Sequence, residues 1–413
     1  MSENKPVKYS ILIPTYNKAK YLSYTIESIL SSDYKDFELV ISDDHSTDNT
    51  NEVLDSIDDD RVKILKPPIK LTQTKNYEFL LNHASGEWVT IIGDDDGVLP
   101  FFFEKLDKYL AKFNNIESIH TKPAFYYWEG VEDLYGDRVC DYQNFCEKPK
   151  LKNSKTSLLS SLAGISVRTE LPMIYTSGLI KKSLMKKIKE KSNNFFFHSV
   201  IPDYYSMICI LNETKEYLQI NEPLFWVGAS KLSTGRGTKI YKDHSYKDIN
   251  INDYDFINPN LELSGKISEK LHQIGLTPIY FFECVIKHPY INKKWKSNFI
   301  KHLVYAGSLI NFYKIKIYYN FRSKINIDFK DFNSIINLEL KKCKLSRLFF
   351  ILVLISLFII NNIKKIFSYF YKVKKFLIKR ISKKNYILVS KNREKFNNII
   401  DCNLFIKNNI NNN

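Results

Sequence analysis

Two clusters of carboxylates follow apolar runs in the first hundred residues. The triplet Asp94–Asp96 comes after Trp88–Gly93, and the pair Asp43–Asp44 comes after Phe37–Ser42. Three adjacent carboxylates repel one another, so a buried triplet needs a cation, and oxygen ligands favour Mg²⁺ or Mn²⁺. Such a site holds the metal through one or two carboxylates while substrate phosphates complete the shell. The alternative for the triplet is a solvated acidic turn.

Short apolar runs alternate with helical patterns in the same part of the chain. Strands are predicted at residues 9–14, 37–41, 62–65 and 88–92, and Asn17 and Thr72 are candidate caps of the helices that follow them. This alternation predicts an α/β fold with a mostly parallel sheet flanked by helices. Ligands bind such sheets at the carboxyl ends of the strands, where both acidic clusters lie.

Three segments at these strand ends carry a family resemblance. They are Ser10-Ile-Leu-Ile-Pro-Thr-Tyr-Asn17, Phe37-Glu-Leu-Val-Ile-Ser-Asp-Asp-His-Ser46, and Gly86-Glu-Trp-Val-Thr-Ile-Ile-Gly-Asp-Asp-Asp96 with Pro100. Together they resemble the family 2 glycosyltransferases, closely over residues 8–110 and loosely to about residue 225. The resemblance implies a Rossmann-like GT-A fold, a nucleotide-sugar donor, a divalent cation and transfer to an acceptor hydroxyl with inversion.

The resemblance also implies roles for individual residues around the donor. They are Pro14, Thr15 and Tyr16 at the edge of the nucleotide pocket, Asp44 as acceptor of a hydrogen bond from the base (usually uracil), Lys75 near the nucleotide, and Asp94 and Asp95 in the metal-binding DxD region. The usual family motif is Asp-x-Asp-Asp, and Gly93 stands where its first Asp would be. This departure makes Asp95 the surer metal ligand.

An inverting transfer needs a general base that takes the proton of the attacking hydroxyl. The family places an acidic residue about a hundred positions after the metal motif, at the start of a helix, and Ile201-Pro-Asp-Tyr-Tyr205 nominates Asp203. Several of these residues also have a purely structural interpretation. Asp203 could only stabilise the helix dipole, and Asp43 and Asp44 could only cap a helix or form a turn. Lys75 could be an ordinary solvent-exposed lysine on a helix.

Further along, Ser230–Lys239 is a basic loop rich in Gly and Ser. It could close over a diphosphate, or it could be an ordinary exposed linker. The chain has no Gln-x-x-Arg-Trp motif, which is typical of processive polysaccharide synthases, and no G-x-G-x-x-G or phosphate-binding P-loop. These absences argue against synthase, dinucleotide-binding and kinase interpretations.

The net charge of +16 is concentrated in one segment. Fifteen Lys and Arg, and no Asp or Glu, lie between Leu340 and Arg393, so the rest of the chain is close to neutral. We therefore expect no nucleic-acid partner. The six cysteines have no metal-site spacing and the first eight residues have no apolar signal core, so we expect reduced thiols and no export.

The basic segment combines its charges with apolar runs. Leu348–Ile363 is sixteen residues without charge, which is short for a membrane span of about 20 residues. The stretch that follows, to Ile381, places apolar and basic residues on different faces of a helix. This pattern favours an amphipathic helix on an anionic membrane surface. A transmembrane span and packing on the protein body are the alternatives.

These observations predict four regions. Residues 1–229 form a GT-A catalytic domain, 230–340 a mainly helical extension, 341–396 a basic membrane-associating segment, and 397–413 an Asn-rich disordered tail. We expect an inverting enzyme at the cytoplasmic face of the membrane that transfers a sugar from a nucleotide-sugar, usually a UDP-sugar, to a glycan or lipid-linked acceptor. The rivals are a non-catalytic sugar-nucleotide-binding membrane protein of the same fold and a sugar nucleotidyltransferase. The nucleotidyltransferase would need a Gly-rich basic loop after the first strand, which Thr15–Ala19 does not supply.

Overall fold

The structure is a computed structural model that describes most of the first 233 residues and short pieces beyond them. The described residues are 7–131, 139–142, 148–162, 171–197, 202–233, 351–353, 355–356, 359 and 396–410. The chain divides into two compact units, of which the first comprises Met1–Asn153, Pro172–Ser245 and Tyr386–Asn413. The second unit comprises Ser154–Leu171 and Tyr246–Asn385.

The described residues contain ten strands, all in the first unit. They are β1 (Tyr9–Thr15), β2 (Phe37–Asp43), β3 (Val62–Leu65), β4 (Trp88–Ile91), β5 (Gly97–Val98), β6 (Ser118–Tyr127), β7 (Val139–Asp141), β8 (Lys150–Asn153), β9 (Gly178–Lys181) and β10 (Glu216–Ala229).

Eight helices have defined bounds in the described residues, and α5 belongs to the second unit. They are α1 (Ala19–Leu30), α2 (Thr50–Asp55), α3 (Gln73–His83), α4 (Phe102–Lys112), α5 (Ser154–Leu162), α6 (Lys182–Lys191), α7 (Pro202–Glu213) and α8 (Ile399–Ile410).

The strands of the first unit form one mixed sheet in the order β3-β2-β1-β4-β9-β6-β10-β5, with β7 beside β6 and β8 beside β10. Strands β3, β2, β1 and β4 run parallel, as do β6 and β10. The antiparallel strand β9 lies between the two parallel groups. The predicted α/β class is therefore confirmed, with antiparallel pairing in the second half of the sheet.

The four predicted strands are present, and their carboxyl ends lie within two residues of the predicted ones. Burial explains why these runs form strands, because Ile11, Leu39 and Val89 are completely buried and every residue of β4 is buried. Apolar residues that are covered on both faces of a sheet give continuous rather than alternating patterns. Because these strands are parallel, the carboxyl ends of β1, β2 and β4 meet at one edge, where Thr15 pairs with Asp43 and Leu12 pairs with Ile91.

One of the two expected helix caps is confirmed. The side chain of Thr72 accepts a hydrogen bond from the backbone N–H of Lys75 at the start of α3. Asn17 does not cap α1: it has a positive φ of 54°, and its side-chain oxygen accepts from the backbone N–H of Thr47 at 2.7 Å. Instead, Asp48 accepts from the first N–H of α1, that of Ala19, at 3.1 Å.

The expected disordered tail is corrected by the structure over Ile399–Ile410, which form helix α8 within the first unit. Ile399, Cys402 and Ile406 lie on one face of this helix and are less than 5% exposed. They join an aromatic cluster that contains Trp128 and Trp226. The Asn-rich composition concealed this apolar face, whose burial stabilises the helix.

Most of the predicted extension (230–340) and of the predicted basic segment (341–396) lies outside the described residues. Short helical pieces at 351–353, 355–356 and 359 are described in the second unit. Among the described residues, no helix has the length and apolarity that crossing a membrane requires.

Candidate active site

The Asp94–Asp96 triplet forms the connection between two strands of the sheet. Strand β4 ends at Ile91, just before the triplet, and β5 follows it at once and pairs with β10. The three aspartates are 7%, 4% and 2% exposed. A solvated acidic turn is therefore excluded, and the charges must be balanced by specific partners.

Asp94 has two side-chain partners from the region between β1 and α1. Its Oδ2 accepts a hydrogen bond of 2.9 Å from the Thr15 hydroxyl, and its Oδ1 accepts one of 3.0 Å from Lys18 Nζ. The first-strand edge, which the resemblance assigned to the nucleotide pocket, therefore contacts the proposed metal ligand directly.

Asp95 is held by the turn that follows β10. Its Oδ2 accepts hydrogen bonds from the hydroxyls of Ser230 at 2.6 Å and Ser233 at 2.5 Å, and Lys18 Nζ lies 3.8 Å from the same oxygen. The backbone carbonyl of Asp95 accepts a bond of 2.9 Å from the Trp128 indole N–H. These contacts fix both the backbone and the carboxylate of Asp95.

Asp96 has a structural role in the turn. Its Oδ2 accepts from the Gly93 N–H at 2.7 Å and the Thr176 hydroxyl at 3.0 Å, while its Oδ1 accepts from the Gly228 N–H at 2.8 Å. A side chain at Gly228 would place its Cβ 1.7 Å from the Asp95 carbonyl oxygen. Only glycine therefore allows β10 to approach the triplet so closely.

The triplet shifts the pKa values of its own members. Burial raises the pKa of Asp96 to about 7, and the neighbouring Asp95 adds to the rise. Burial also raises the pKa of Asp94, although the Lys18 ammonium opposes the shift. For Lys18, burial lowers the pKa but the Asp94 and Asp95 carboxylates outweigh it, so the net shift is upward and the ammonium is charged at neutral pH.

Gly93, which replaces the first Asp of the usual family motif, lies against a tyrosine. A Cβ at this position would lie 2.8 Å from the Tyr175 hydroxyl oxygen and 2.9 Å from Asp96 Oδ2. A carboxylate side chain would not fit without movement of Tyr175. The structure thus supplies a packing reason for the departure at this position.

Asp44 lies at the carboxyl end of β2, beside β1. Its backbone N–H donates to the Thr15 carbonyl at 2.9 Å, and its Oδ1 accepts from the Leu71 N–H at 2.7 Å. Burial raises its pKa, against the opposing Leu71 hydrogen bond and the nearby Lys70. The preceding Asp43 instead accepts from the Ser46 N–H at 3.0 Å within the turn.

The other expected donor-binding residues surround this strand end. Pro14 is half-buried in β1, and Tyr16 is 41% exposed with Lys70 Nζ 3.8 Å from the centre of its ring. Lys75 is half-buried in the first turn of α3. The next residue, Asn76, accepts a bond of 2.6 Å from the Ser42 hydroxyl, so this turn lies beside the end of β2.

Asp203 lies in the first turn of α7 and is half-buried. Asp203 and the triplet both act electrostatically on a stacked pair of tyrosines, Tyr77 and Tyr175, whose ring centres are 5.7 Å apart. Burial raises the pKa of both tyrosines, and the charges of Asp203 and Asp96 raise them further. Asp203 is therefore within electrostatic reach of the same two hydroxyls as the triplet.

Three residues of this arrangement were not expected from the sequence in these roles. No sequence motif marks Lys18, which directly follows the Pro14–Asn17 segment. Ser230 and Ser233 were considered only as part of the loop Ser230–Lys239, and the structure shows their hydroxyls on Asp95. Residues 234–239 of that loop lie outside the described residues.

A metal ion at this site would need oxygen ligands from the carboxylates of the triplet. Among the described residues, no group of three or more His, Cys, Asp or Glu side chains could hold a metal ion. Asp94 and Asp95 nevertheless offer two adjacent buried carboxylates. This set fits Mg²⁺ or Mn²⁺ in the kind of site that substrate phosphates and water complete.

Comparisons with known proteins agree with this geometry. Residues 10–161 match the model of glycosyl transferase family 2. A segment of 116 residues is 41% identical to a GalNAc(5)-diNAcBac-PP-undecaprenol beta-1,3-glucosyltransferase of Campylobacter jejuni, covering 26% of this chain and 38% of the relative. A segment of 101 residues is 38% identical to the glycosyltransferase GlyG of Streptococcus pneumoniae, covering 24% of this chain and 33% of the relative. The chain thus matches about a third of the length of these curated relatives.

Solved structures show a more distant likeness. The crystal structure of S. aureus TarS 1-349 in complex with UDP-GlcNAc is similar with a TM-score of 0.46 and 15% identity, covering 78% of this chain and 94% of that one. The sequence match lies on the segment that contains β1, Asp44 and the triplet. Residues 10–161 of this chain are thus similar to glycosyl transferase family 2.

Proposed function

We propose that this protein is an inverting glycosyltransferase that moves a sugar from a nucleotide-sugar, with UDP-sugars as the first candidates, to an acceptor hydroxyl. The proposal rests mainly on one observation: Asp44, Asp94 and Asp95 lie at the same edge of the sheet. Thr15 joins them, because its hydroxyl donates to Asp94 and its carbonyl oxygen accepts from the Asp44 N–H. The carboxyl edge of a parallel sheet is the usual ligand site of such folds.

On the donor side, Asp44 would accept a hydrogen bond from an N–H of the base, with Tyr16 beside the nucleoside. The Leu71 N–H holds the Asp44 carboxylate in place at 2.7 Å. Asp94 and Asp95 would hold Mg²⁺ or Mn²⁺, which when bound would neutralise charge on the diphosphate as it leaves. Ser230 and Ser233 keep the Asp95 carboxylate oriented for this role.

On the acceptor side, Asp203 would take the proton of the hydroxyl as its oxygen attacks the anomeric carbon. The new bond joins the acceptor oxygen to that carbon, and the bond to the diphosphate oxygen breaks with its electron pair on the leaving group. A single displacement of this kind inverts the anomeric centre. The position of Asp203 at a helix start, within electrostatic reach of the triplet's surroundings, supports this assignment.

We also propose a lipid-linked glycan acceptor and a peripheral position at the cytoplasmic face of the membrane. The Campylobacter jejuni relative carries an undecaprenol-linked glycan in its name. In the second unit, Ile351, Leu352, Ile355 and Ile359 are helical and between 41% and 53% exposed. These apolar side chains immediately precede the Lys-rich stretch, the combination expected of a helix that lies on an anionic surface.

The second candidate function is a non-catalytic sugar-nucleotide-binding protein of the same fold. A panel of UDP-, GDP- and dTDP-sugars with Mn²⁺ separates the two, with thermal stabilisation reporting binding and nucleotide release in the presence of acceptor reporting transfer. Stabilisation with turnover supports the enzyme. Stabilisation without turnover on any lipid-linked or soluble acceptor supports the binding protein, and absence of both contradicts the proposed function.

A further inference from the structure

The Lys18 side chain lies where a bound cation would be expected. Its Nζ is 3.0 Å from Asp94 Oδ1 and 3.8 Å from Asp95 Oδ2, the two carboxylates that the proposed function assigns to a divalent cation. The side chains are 11%, 10% and 6% exposed, so water screens this contact weakly. The ammonium therefore already balances part of the charge of the site.

The charges do not allow Lys18 to stay there when a divalent cation binds. Asp96 already accepts hydrogen bonds from three groups of the protein, the Gly93 N–H, the Thr176 hydroxyl and the Gly228 N–H. Only the carboxylates of Asp94 and Asp95 are therefore left to bind the Lys18 ammonium and a divalent cation. An ammonium and a divalent cation on the same pair would repel each other at about 4 Å with little water between them. We therefore expect the Lys18 ammonium to leave this position, because the flexible four-carbon chain of lysine allows it to move.

The loop that bears Lys18 also borders the expected nucleotide pocket. Lys18 follows Thr15 and Tyr16 and directly precedes α1, where the Tyr21 N–H donates to its carbonyl oxygen at 2.9 Å. The backbone of Lys18 is therefore fixed while its side chain keeps rotatable bonds. An ammonium displaced from Asp94 remains beside the position of a diphosphate bound through the same carboxylates.

We propose that Lys18 is an internal counter-ion that holds Asp94 and Asp95 together in the empty enzyme and transfers its ammonium to the donor diphosphate when the divalent cation binds. The proposal rests on the function proposed above. It implies that Lys18 weakens the binding of a divalent cation alone and strengthens the binding of the cation together with a nucleoside diphosphate. Lys18 is thus a residue that couples the two binding events.

The first test measures Mn²⁺ and UDP binding separately by calorimetry. In Lys18→Met, we expect Mn²⁺ to bind the nucleotide-free protein about tenfold more tightly, because a competing charge is removed, and UDP to bind the Mn²⁺ form about tenfold more weakly. Lys18→Arg keeps the charge and should stay close to wild type. Lys20→Met is the matched control, because Lys20 lies in the first turn of α1, has a side chain that is 64% exposed and pairs with the exposed Glu129.

The second test uses the wild-type protein and so does not depend on the folding of a variant. Acetylation of Lys18 by a water-soluble acetylating reagent, read by peptide mass spectrometry, should be slow without ligands, at least about threefold faster with Mn²⁺ alone, and slow again with Mn²⁺ and UDP. Acetylation of Lys20 should not change.

The outcomes distinguish the inference from the function on which it rests. If Mn²⁺ and UDP bind but Lys18 acetylation is unchanged by Mn²⁺, or if Lys18→Met weakens both ligands in parallel, Lys18 is only structural and the inference is wrong. If neither wild type nor Lys18→Met binds Mn²⁺ or UDP, the proposed function is wrong as well. Opposite shifts in the two affinities support the inference, since a merely structural role would not produce them.

Discussion

The side-chain oxygen of Asn403 accepts a hydrogen bond of 2.8 Å from the indole Nε1 of Trp226. The Nδ2 of Asn403 donates in turn to the Val98 carbonyl at 3.1 Å, directly after the Asp94–Asp96 triplet. Helix α8 thus contacts β5, which directly follows the triplet, and β10, whose Gly228 donates a hydrogen bond to Asp96. Its position makes the end of the chain part of the support of the candidate active site.

We expect Asn403→Leu to lower the free energy of unfolding by about 1–3 kcal/mol, because it leaves a buried N–H and a buried C=O without partners. Urea unfolding measures the change. The control is Leu404→Ala in the same helix, which is 55% exposed and should change stability by less than about 0.5 kcal/mol. Equal effects of the two substitutions would contradict the role of Asn403.

We expect Asp95→Asn to reduce sugar transfer at least about 100-fold while the fold survives. The amide oxygen can still accept from Ser230 and Ser233, but it loses the charge that attracts a divalent cation. Initial rates with Mn²⁺, Mn²⁺ affinity and circular dichroism give the three measurements. Glu129→Gln, an exposed position, should behave as wild type. Full turnover in excess chelator would show that no metal takes part.

We expect Asp203→Asn to lower kcat about 100- to 10 000-fold without changing the affinity for the nucleotide-sugar. The physical reason is that the base acts on the acceptor hydroxyl and not on the nucleotide. Donor binding and turnover are measured separately, with the exposed Glu190→Gln in α6 as the control. Parallel loss of binding and turnover would make Asp203 a structural residue, and near-normal turnover would place the base elsewhere.

The membrane proposal has to be tested in the full chain, because α8 follows the basic segment and packs in the first unit. We expect neutralisation of six basic residues to weaken sedimentation with anionic vesicles at least about 100-fold, since each contributes about 1 kcal/mol. The residues, replaced by Gln, are Lys364, Lys365, Lys372, Lys375, Lys379 and Arg380.

A matched control removes the same number of charges from exposed positions of the first unit. These are Lys20, Lys35, Lys63, Lys108, Lys112 and Lys186. The control protein should sediment with the vesicles like wild type, and transfer to a water-soluble acceptor should survive in both. Equal loss of vesicle binding in the two proteins would show that charge in general, and not this segment, attracts the membrane.

Because His120 is buried, we expect the free energy of unfolding to fall in acid. Its side chain is fully buried, neither ring nitrogen has a hydrogen-bond partner among the described residues, and burial, aided by Lys122, lowers its pKa to about 3. The unfolded chain takes up a proton below about pH 6.5, whereas the folded protein does so only near pH 3. The stability that this group contributes is therefore present above pH 6.5 and is lost as the pH falls toward 3.

The measurement is the free energy of unfolding between pH 7 and pH 4, in wild type and His120→Leu. The single site contributes a slope of at most about 1.4 kcal/mol per pH unit, and the variant should lose that slope. His45→Gln, at a residue that is half-buried and bonded to the Pro67 carbonyl, is the control and should keep most of it. Identical slopes in wild type and His120→Leu would contradict the prediction.

The sequence by itself determined the elements that place the donor-side carboxylates. The apolar runs of β1, β2 and β4 and the Thr72 cap are local patterns, and parallel strands bring their carboxyl ends to one edge. Asp44 and the Asp94–Asp96 triplet were therefore predictable as neighbours. The family match over residues 10–161 agrees with that inference.

Only the tertiary structure decided which side chains complete the site. Lys18 and Asp94 are 76 positions apart, Ser230 and Asp95 are 135, and Asn403 and Trp226 are 177. No local period relates such residues, because their contact depends on how β10 and α8 pack against the sheet. The Asn-rich end illustrates the same limit: its composition suggested disorder, and only the presence of the aromatic cluster around Trp128 and Trp226 makes a buried helix the more stable state.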